Sequence, residues 1–171
     1  MSNFEKITCC KKFLLNNGFK TILSSNNQLL HKLTNKHDIF FMRQKYFKYF
    51  LMNIDANYNK VFRNPDESFI KFENGIITSI YILEKKEQNS KGSYENIIWT
   101  GPSIKREYEI VFDGINIYYG FCLNDYFKNK IKNNKNKWAI LPTILNESNI
   151  PIFFPSDVSY YKNLLDWVQD N

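Results

Sequence analysis

The chain has 171 residues, 43% of them hydrophobic and 17% aromatic, which is enough apolar material for one substantial core, and it reads as a single domain that is neither disordered nor repetitive. A net charge of +6 and a pI near 9.1 suit a polyanionic partner, although the Asn-, Lys-, Ile- and Tyr-rich composition of an AT-rich genome would inflate lysine for reasons unrelated to binding. No run reaches the ~20 apolar residues of a membrane span, and the first twelve residues mix acids and bases without an apolar core, so a cytoplasmic protein with no membrane partner is expected.

From the N-terminus, Phe4 to Leu15 places apolar residues at Phe4, Ile7, Cys10, Phe13 and Leu14 and predicts an amphipathic helix closed by Asn17-Gly18. Asn26 to Lys36 and Ile39 to Met52 read as two further helices. The second carries Phe40, Phe41, Tyr46, Phe47, Tyr49 and Phe50 between Arg43, Lys45 and Lys48, either as a core face with a solvated back or as a nucleic-acid surface. Asp55 to Arg63 is a polar connection, and Ile54 to Val61 is the candidate for a first sheet strand.

Phe69 to Phe72 and Ile76 to Leu83 are β-branched and aromatic, and Glu73-Asn74-Gly75 between them signals a hairpin. A loop over Asn89 to Gly92 and a Ser93 cap lead to Gly101-Pro102-Ser103, where Pro102 suits the first turn of a helix over Ser103 to Phe112. Gly114 ends that crossover helix, and Ile115 to Leu123 predicts a buried strand parallel to its neighbour. Asn124 to Asn136, with Lys128, Lys130, Lys132 and Lys135, reads as a solvated helix end and loop or as a phosphate-tracking surface. Trp138 to Leu145, Pro151 to Pro155 and a Tyr160 to Val168 helix form a C-terminal cap.

The chemistry concentrates between Asn64 and Gln88, where Pro65-Asp66 precedes the hairpin and Glu84-Lys85-Lys86 ends it. Side chains at i and i+2 share a face of a strand, so Glu84 and Lys86 point one way and Lys85 the other. A two-residue Asn-Gly turn would pair Asp66 with Leu83 and separate the acids. A three-residue loop with a bulge at Gly75 would pair Phe72 with Ile76 and bring Asp66, Glu84 and Lys86 to one face, beyond Ile70, Phe72, Ile76, Ile80 and Ile82. The second geometry is expected, because two hard oxygen ligands and a cation together suit metal-assisted phosphodiester hydrolysis. Cys9, Cys10 and Cys122 have no zinc spacing and read as reduced thiols, His31 and His37 as ordinary histidines, and the lack of a phosphate loop, GxSxG or HExxH disfavours P-loop, acyl-transfer and zincin chemistry.

Pro65-Asp66 followed by Glu84-x-Lys86, with Ile82-Leu83 before and Glu87-Gln88 after, resembles the PD-(D/E)XK nuclease superfamily and, within it, type II restriction endonucleases, most clearly over residues 60 to 112. The resemblance implies an α/β (α+β) fold with a central mixed sheet flanked by helices and an α-β-β-β-α-β core. The helical N-terminal part would span about 1–52, the catalytic core about 54–125 and the cap about 126–171. It implies a Mg²⁺ site, with Mn²⁺ as substitute, formed by Asp66, Glu84 and the backbone carbonyl of Lys85, with Lys86 acting on the attacking water. Glu5, Glu67 and Gln88 are accessory candidates, and Arg63, Lys105 and Arg106 candidates for contact with double-stranded DNA. The implied activity is a metal-dependent endodeoxyribonuclease leaving 5′-phosphates, homodimeric if its target is palindromic. A structure-selective repair nuclease and a non-enzymatic nucleic-acid-binding protein are the alternatives.

Overall fold

In the computed structural model, described residues are 4, 7, 8, 10–22, 29–90, 94–133 and 135–170, so the expectations for Glu5, Cys9 and Ser93 lie outside the described residues. The strands are Lys20–Thr21 (β1), Leu29–Leu33 (β2), Asp38–Met42 (β3), Glu67–Glu73 (β4), Ile76–Lys86 (β5), Asn116–Leu123 (β6) and Ile152–Phe153 (β7). They form one mixed sheet in chain order, antiparallel from β1 to β5 and parallel from β5 to β7. The helices are Lys11–Asn16 (α1), Lys45–Ile54 (α2), Tyr94–Trp99 (α3), Gly101–Val111 (α4), Asp125–Lys132 (α5), Lys137–Glu147 (α6) and Tyr160–Gln169 (α7). The chain is thus α/β, a mixed sheet flanked by helices.

Alternation along β5 and β6 divides the core in two. Ile80, Ile82, Tyr119, Phe121 and Leu123 face a large layer that takes in Phe47 and Leu51 of α2, Ile98 of α3, Ile104 and Tyr108 of α4, Phe127 of α5 and Trp138 and Leu141 of α6. Tyr81, Leu83 and Cys122 face a smaller layer with Leu14 of α1 and Tyr160 and Leu164 of α7. Because both faces are covered, β6 is nearly all apolar, as its sequence predicts for a parallel interior strand. Cys10 and Cys122 are free, buried thiols.

Three expectations for the N-terminal half need correction. Of the helix expected over Asn26 to Lys36, the described residues 29–36 are not helical, nor are Ile39 to Met42: β2 and β3 form a hairpin there, closed without glycine by the Thr34 hydroxyl, which accepts from the His37 amide at 2.9 Å while the Thr34 amide donates to the His37 carbonyl at 2.9 Å. Helix α2 starts only at Lys45, and its phenylalanines serve the core, Phe47 packing against Tyr108 and Phe112 and Phe50 against Phe40 and Phe72, while Tyr49 is exposed. Ile54 to Val61 is no strand but a 3-10 turn over Ala56–Lys60, with Asp55 Oδ1 accepting from the Asn57 amide; the first strand of the central meander is β3. The region 1–52 is therefore not purely helical, and the C-terminal cap lends β7 to the sheet.

The crossover helix α4 begins hard against the sheet, where a Cβ built on Gly101 would lie 2.8 Å from Phe121 Cε2, a ring with no exposed surface. Gly101→Ala should therefore overpack this contact and destabilise the protein by roughly 1–3 kcal/mol, read as a lowered urea midpoint with an unchanged m value. An unchanged midpoint would show that Phe121 has room to move.

Candidate functional site

The β4–β5 turn departs from the three-residue loop expected. Glu73 pairs with Ile76 across a two-residue Asn74-Gly75 turn, with φ of 52° and 78°, the positive values that favour Asn and Gly. Left alone, this turn would separate the two acids. However, the pairing runs from Phe72↔Ile77 to Lys71↔Ser79, so Thr78 is an extra residue that slips the register by one. The expected parity is restored by this bulge, three residues beyond Gly75. Ile77 in place of Ile76 turns inward as a result, and Ile76 stays exposed.

Beyond the bulge Glu67 faces Leu83, and Asp66, just outside the strand, lies beside the end of β5. Asp66 Oδ2 accepts the Lys85 amide at 2.7 Å, which fixes the carboxylate against the strand. The Lys86 ammonium donates to Glu84 Oε2 at 2.7 Å and to Asp66 Oδ2 at 3.5 Å. All three predicted residues thus meet on the face continuous with Ile80 and Ile82, half-buried at its rim. The Gln44 amide, at the start of α2, donates to the Pro65 carbonyl at 2.9 Å and anchors the segment that delivers Asp66.

Burial pushes the Glu84 carboxyl up, Lys86 and Arg63 pull it back, and Asp66 adds to the rise, leaving the net direction upward. For Lys86, burial opposes the charge, but Glu84 and Asp66 outweigh it and the ammonium is held above its ordinary value. Tyr108 and Tyr119, absent from the sequence-based candidates, complete the environment. Both hydroxyls are buried and without a hydrogen-bond partner among the described residues. Burial first, then Glu84, raises both phenols, so they remain neutral donors in the field of the acids. A tyrosine in an apolar run carries no mark that separates it from plain core, which is why neither was legible beforehand.

The other candidates divide. Glu67 turns to the opposite face, with no exposed side-chain surface, 2.6 Å from the Lys85 ammonium and 3.8 Å from Arg43. The contact is close but poorly directed, since neither Glu67 oxygen receives a hydrogen bond, while Lys85 donates to the Thr8 carbonyl at 2.6 Å. Gln88 belongs to the strand-end turn, donating to the Ser90 carbonyl and accepting Asn124 Nδ2 on its own carbonyl. Arg63 is near enough to lower Glu84, but its guanidinium is bound to Glu107, with Nε 2.5 Å from Oε2. Lys105 and Arg106 do not join the acids: Lys105 binds Glu109 and the Ser148 carbonyl, and Arg106 binds Glu109. Lys105 lines a separate hollow with Asn116 and Ile117, where β6 begins.

Among the described residues no group of three or more His, Cys, Asp or Glu is placed to hold an ion. The donor set nevertheless fits Mg²⁺, which keeps several waters and takes one or two carboxylates plus substrate oxygens. One ammonium already lies between Asp66 and Glu84, so a cation is stabilised there, and the two orphan hydroxyls leave capacity for a water or phosphoryl oxygen.

Two stability tests follow. Glu84 is raised in the folded state, so its contribution is complete below the unfolded carboxylate value and is lost as pH rises through the folded one. The stability difference between Glu84→Gln and the wild type should then move in favour of glutamine as pH rises from the ordinary carboxylate range, by urea unfolding at each pH, and a flat difference would refute the burial effect. On the opposite face, Lys85→Met alone should cost about 3–5 kcal/mol by stranding Glu67, while Glu67→Gln with Lys85→Met should recover most of it. Equal losses in single and double variants would mean that the pair is not coupled.

No family model matches the chain, nor does any curated protein or solved structure, so the reading of this site rests on its geometry.

Proposed function

We propose that this protein is a Mg²⁺-dependent endonuclease with a restriction-endonuclease-like core, hydrolysing phosphodiester bonds of duplex DNA. The observation that carries the reading is the convergence of Asp66 and Glu84 on the Lys86 ammonium at the end of β5. Element order supports it. The antiparallel run β3–β4–β5, the crossover through α3 and α4 and the parallel strand β6 match the strand order that the PD-(D/E)XK resemblance implies, with α2 inserted between β3 and β4 and the strands β1 and β2 added before them.

Asp66 and Glu84 would hold the ion, with the Lys85 carbonyl as a further ligand. A bound Mg²⁺ supplies Lewis-acid polarisation of the phosphoryl group and lowers the pKa of its water. Lys86, held charged by its two acids, orients the attacking water through its N–H donors and offsets the charge growing on the phosphorus oxygens; its raised value argues against a role as base. The neutral hydroxyls of Tyr108 and Tyr119, close enough to feel the Glu84 charge, would donate to a phosphoryl oxygen or water bound there. Glu107 keeps Arg63 oriented, one charge away from the acids. If the target is a palindrome, the active form is a two-fold dimer.

Asp66→Ala, Glu84→Ala and Lys86→Ala should each reduce cleavage of mixed-sequence duplex DNA by a factor of at least about 100, equivalent to roughly 2.7 kcal/mol or more of lost transition-state stabilisation. Circular dichroism should remain that of the wild type. Cleavage should require Mg²⁺ or Mn²⁺, stop in Ca²⁺ and stop in EDTA. Wild-type rates in all three variants, or full cleavage in excess chelator, would sink the proposal, and cutting confined to branched substrates would assign the same residues to a structure-selective nuclease.

A further inference from the structure

Lysine is unevenly distributed along the chain. Residues 124–137 hold five lysines against one aspartate, a balance of +4 in 14 residues that leaves +2 for the other 157. This segment, α5 with the turn into α6, begins where β5 ends: the Asn124 amide donates to the Lys86 carbonyl at 3.3 Å and Asn124 Nδ2 to the Gln88 carbonyl at 2.9 Å. It also lies on the same face as the acids, because Phe127 and Trp138 are buried in the layer beneath Ile80 and Ile82. Shared end and shared face place the lysines beside the Asp66, Glu84 and Lys86 rim.

Not all five have the same work. Lys128 lies 2.6 Å from Asp157 and Lys137 2.7 Å from Glu95, so these two tie the segment to its neighbours. Lys130, Lys132 and Lys135 make no ion pair among the described residues. Lys130 lies over the Tyr126 ring and, with Asn136, Trp138, Lys137 and the Glu95 that Lys137 neutralises, lines an open hollow of about 400 Å³. Among the described residues, the exposed ones between the lysines are Asn129, Asn133 and Asn136, whose amides can donate and accept hydrogen bonds, and none is an apolar anchor of the kind that holds a helix on lipid. Spaced cations with interleaved amides match a phosphate backbone, which is recognised by charge and hydrogen bonding without regard to sequence.

We propose that residues 124–137 form a backbone-binding arm that holds the DNA phosphates next to the one presented to Asp66, Glu84 and Lys86, and so sets the affinity and salt dependence of binding. The choice of DNA as polyanion rests on the nuclease reading. The arm takes over the part that Lys105 and Arg106, bound to Glu109, do not play.

The test uses the full chain in Ca²⁺ and a labelled mixed-sequence duplex of about 30 base pairs, titrated over a range of KCl concentrations. The triple variant Lys130→Gln, Lys132→Gln, Lys135→Gln should bind at least about tenfold more weakly near 0.1 M salt, and its slope of log K against log salt should shrink by about 2 to 3, close to 0.9 per lost phosphate contact. A control triple that removes the same charge elsewhere, Lys11→Gln, Lys12→Gln, Lys20→Gln, should leave the slope in place. Equal effects from the two triples, no effect from the first, or binding of the wild type to phosphatidylserine vesicles but not to the duplex would each overturn the arm. The nuclease reading fails separately. Wild-type protein that cuts nothing in Mg²⁺, yet shows the expected change in slope, would keep the arm and lose the enzyme; cleavage with unchanged slopes would do the reverse.

Discussion

Side chains alternate across a β-strand, so two strands joined by a turn can bring a given pair of residues to a common face in only one of two parities. Here the Asn74-Gly75 turn imposes the parity that would separate Asp66 from Glu84, and Thr78 reverses it by occupying an unpaired place in the ladder. Everything distinctive about the site depends on that slip. Without it the acids would lie on opposite faces, and Ile80 and Ile82 would leave the face they share with Ile70. Apolar burial and site assembly therefore favour the same register. Ile70, Ile80 and Ile82 hold it from within, and the Asp66 carboxylate on the Lys85 amide holds it at the end.

The end of β5 carries charge on both faces, which is expensive in a protein interior. On one side Glu84 and Lys86 sit among Tyr108, Tyr119 and Asp66; on the other Lys85 sits with Glu67 and Arg43. Adjacent residues of one strand thus belong to two separate clusters. The second cluster has no route to solvent for Glu67, and it reaches through Thr8 to the N-terminal segment and through Cys10 to the layer under α7. Its physical consequence is rigidity: a strand anchored by a buried ammonium on one face has little freedom to tilt, which keeps the carboxylates on the other face at fixed separation. Buried phenols with no partner among the described residues, beside the raised Glu84 carboxyl, stand at the opposite extreme, as a site whose polar capacity the fold leaves unfilled.

How far the sequence could be read varied with the kind of signal. The β4–β5 hairpin, helix α4 with Pro102 in its first turn and strand β6 were legible because each combines a period with a terminator, as were the Pro65-Asp66 and Glu84-x-Lys86 pairs. The β2–β3 hairpin was not. Leu29–Leu33 and Asp38–Met42 are five residues each, too short to show a period, and a threonine hydroxyl closes their turn where glycine or proline would have marked it. The bulge at Thr78 was inferred as a necessity of parity and misplaced to the turn, since nothing in Ile77-Thr78-Ser79 marks an unpaired residue. Lys105 and Arg106 share one partner that the sequence did contain: Glu109 stands four and three places further along the same helix, where it pairs with both.

The two features of functional interest lie where parallel strands end. In open α/β sheets the carboxyl ends of adjacent parallel strands form a crevice, because their connections must leave from that edge. Among the described residues, strands β5 and β6 are the only long parallel pair, and both end together, at Lys86 opposite Leu123. From this edge one strand presents Glu84 and Lys86, while the other passes through Asn124 into the lysine-rich segment. Asn124 ties the two ends by hydrogen bonds to the carbonyls of Lys86 and Gln88. Sheet topology thus places an acidic rim and a basic segment side by side although nearly forty residues separate them in the chain. On the proposed reading, a polyanion drawn to the lysines would thereby be delivered to the acids that otherwise repel it, and a cation at Asp66 and Glu84 would complete the reversal of charge at the point of contact.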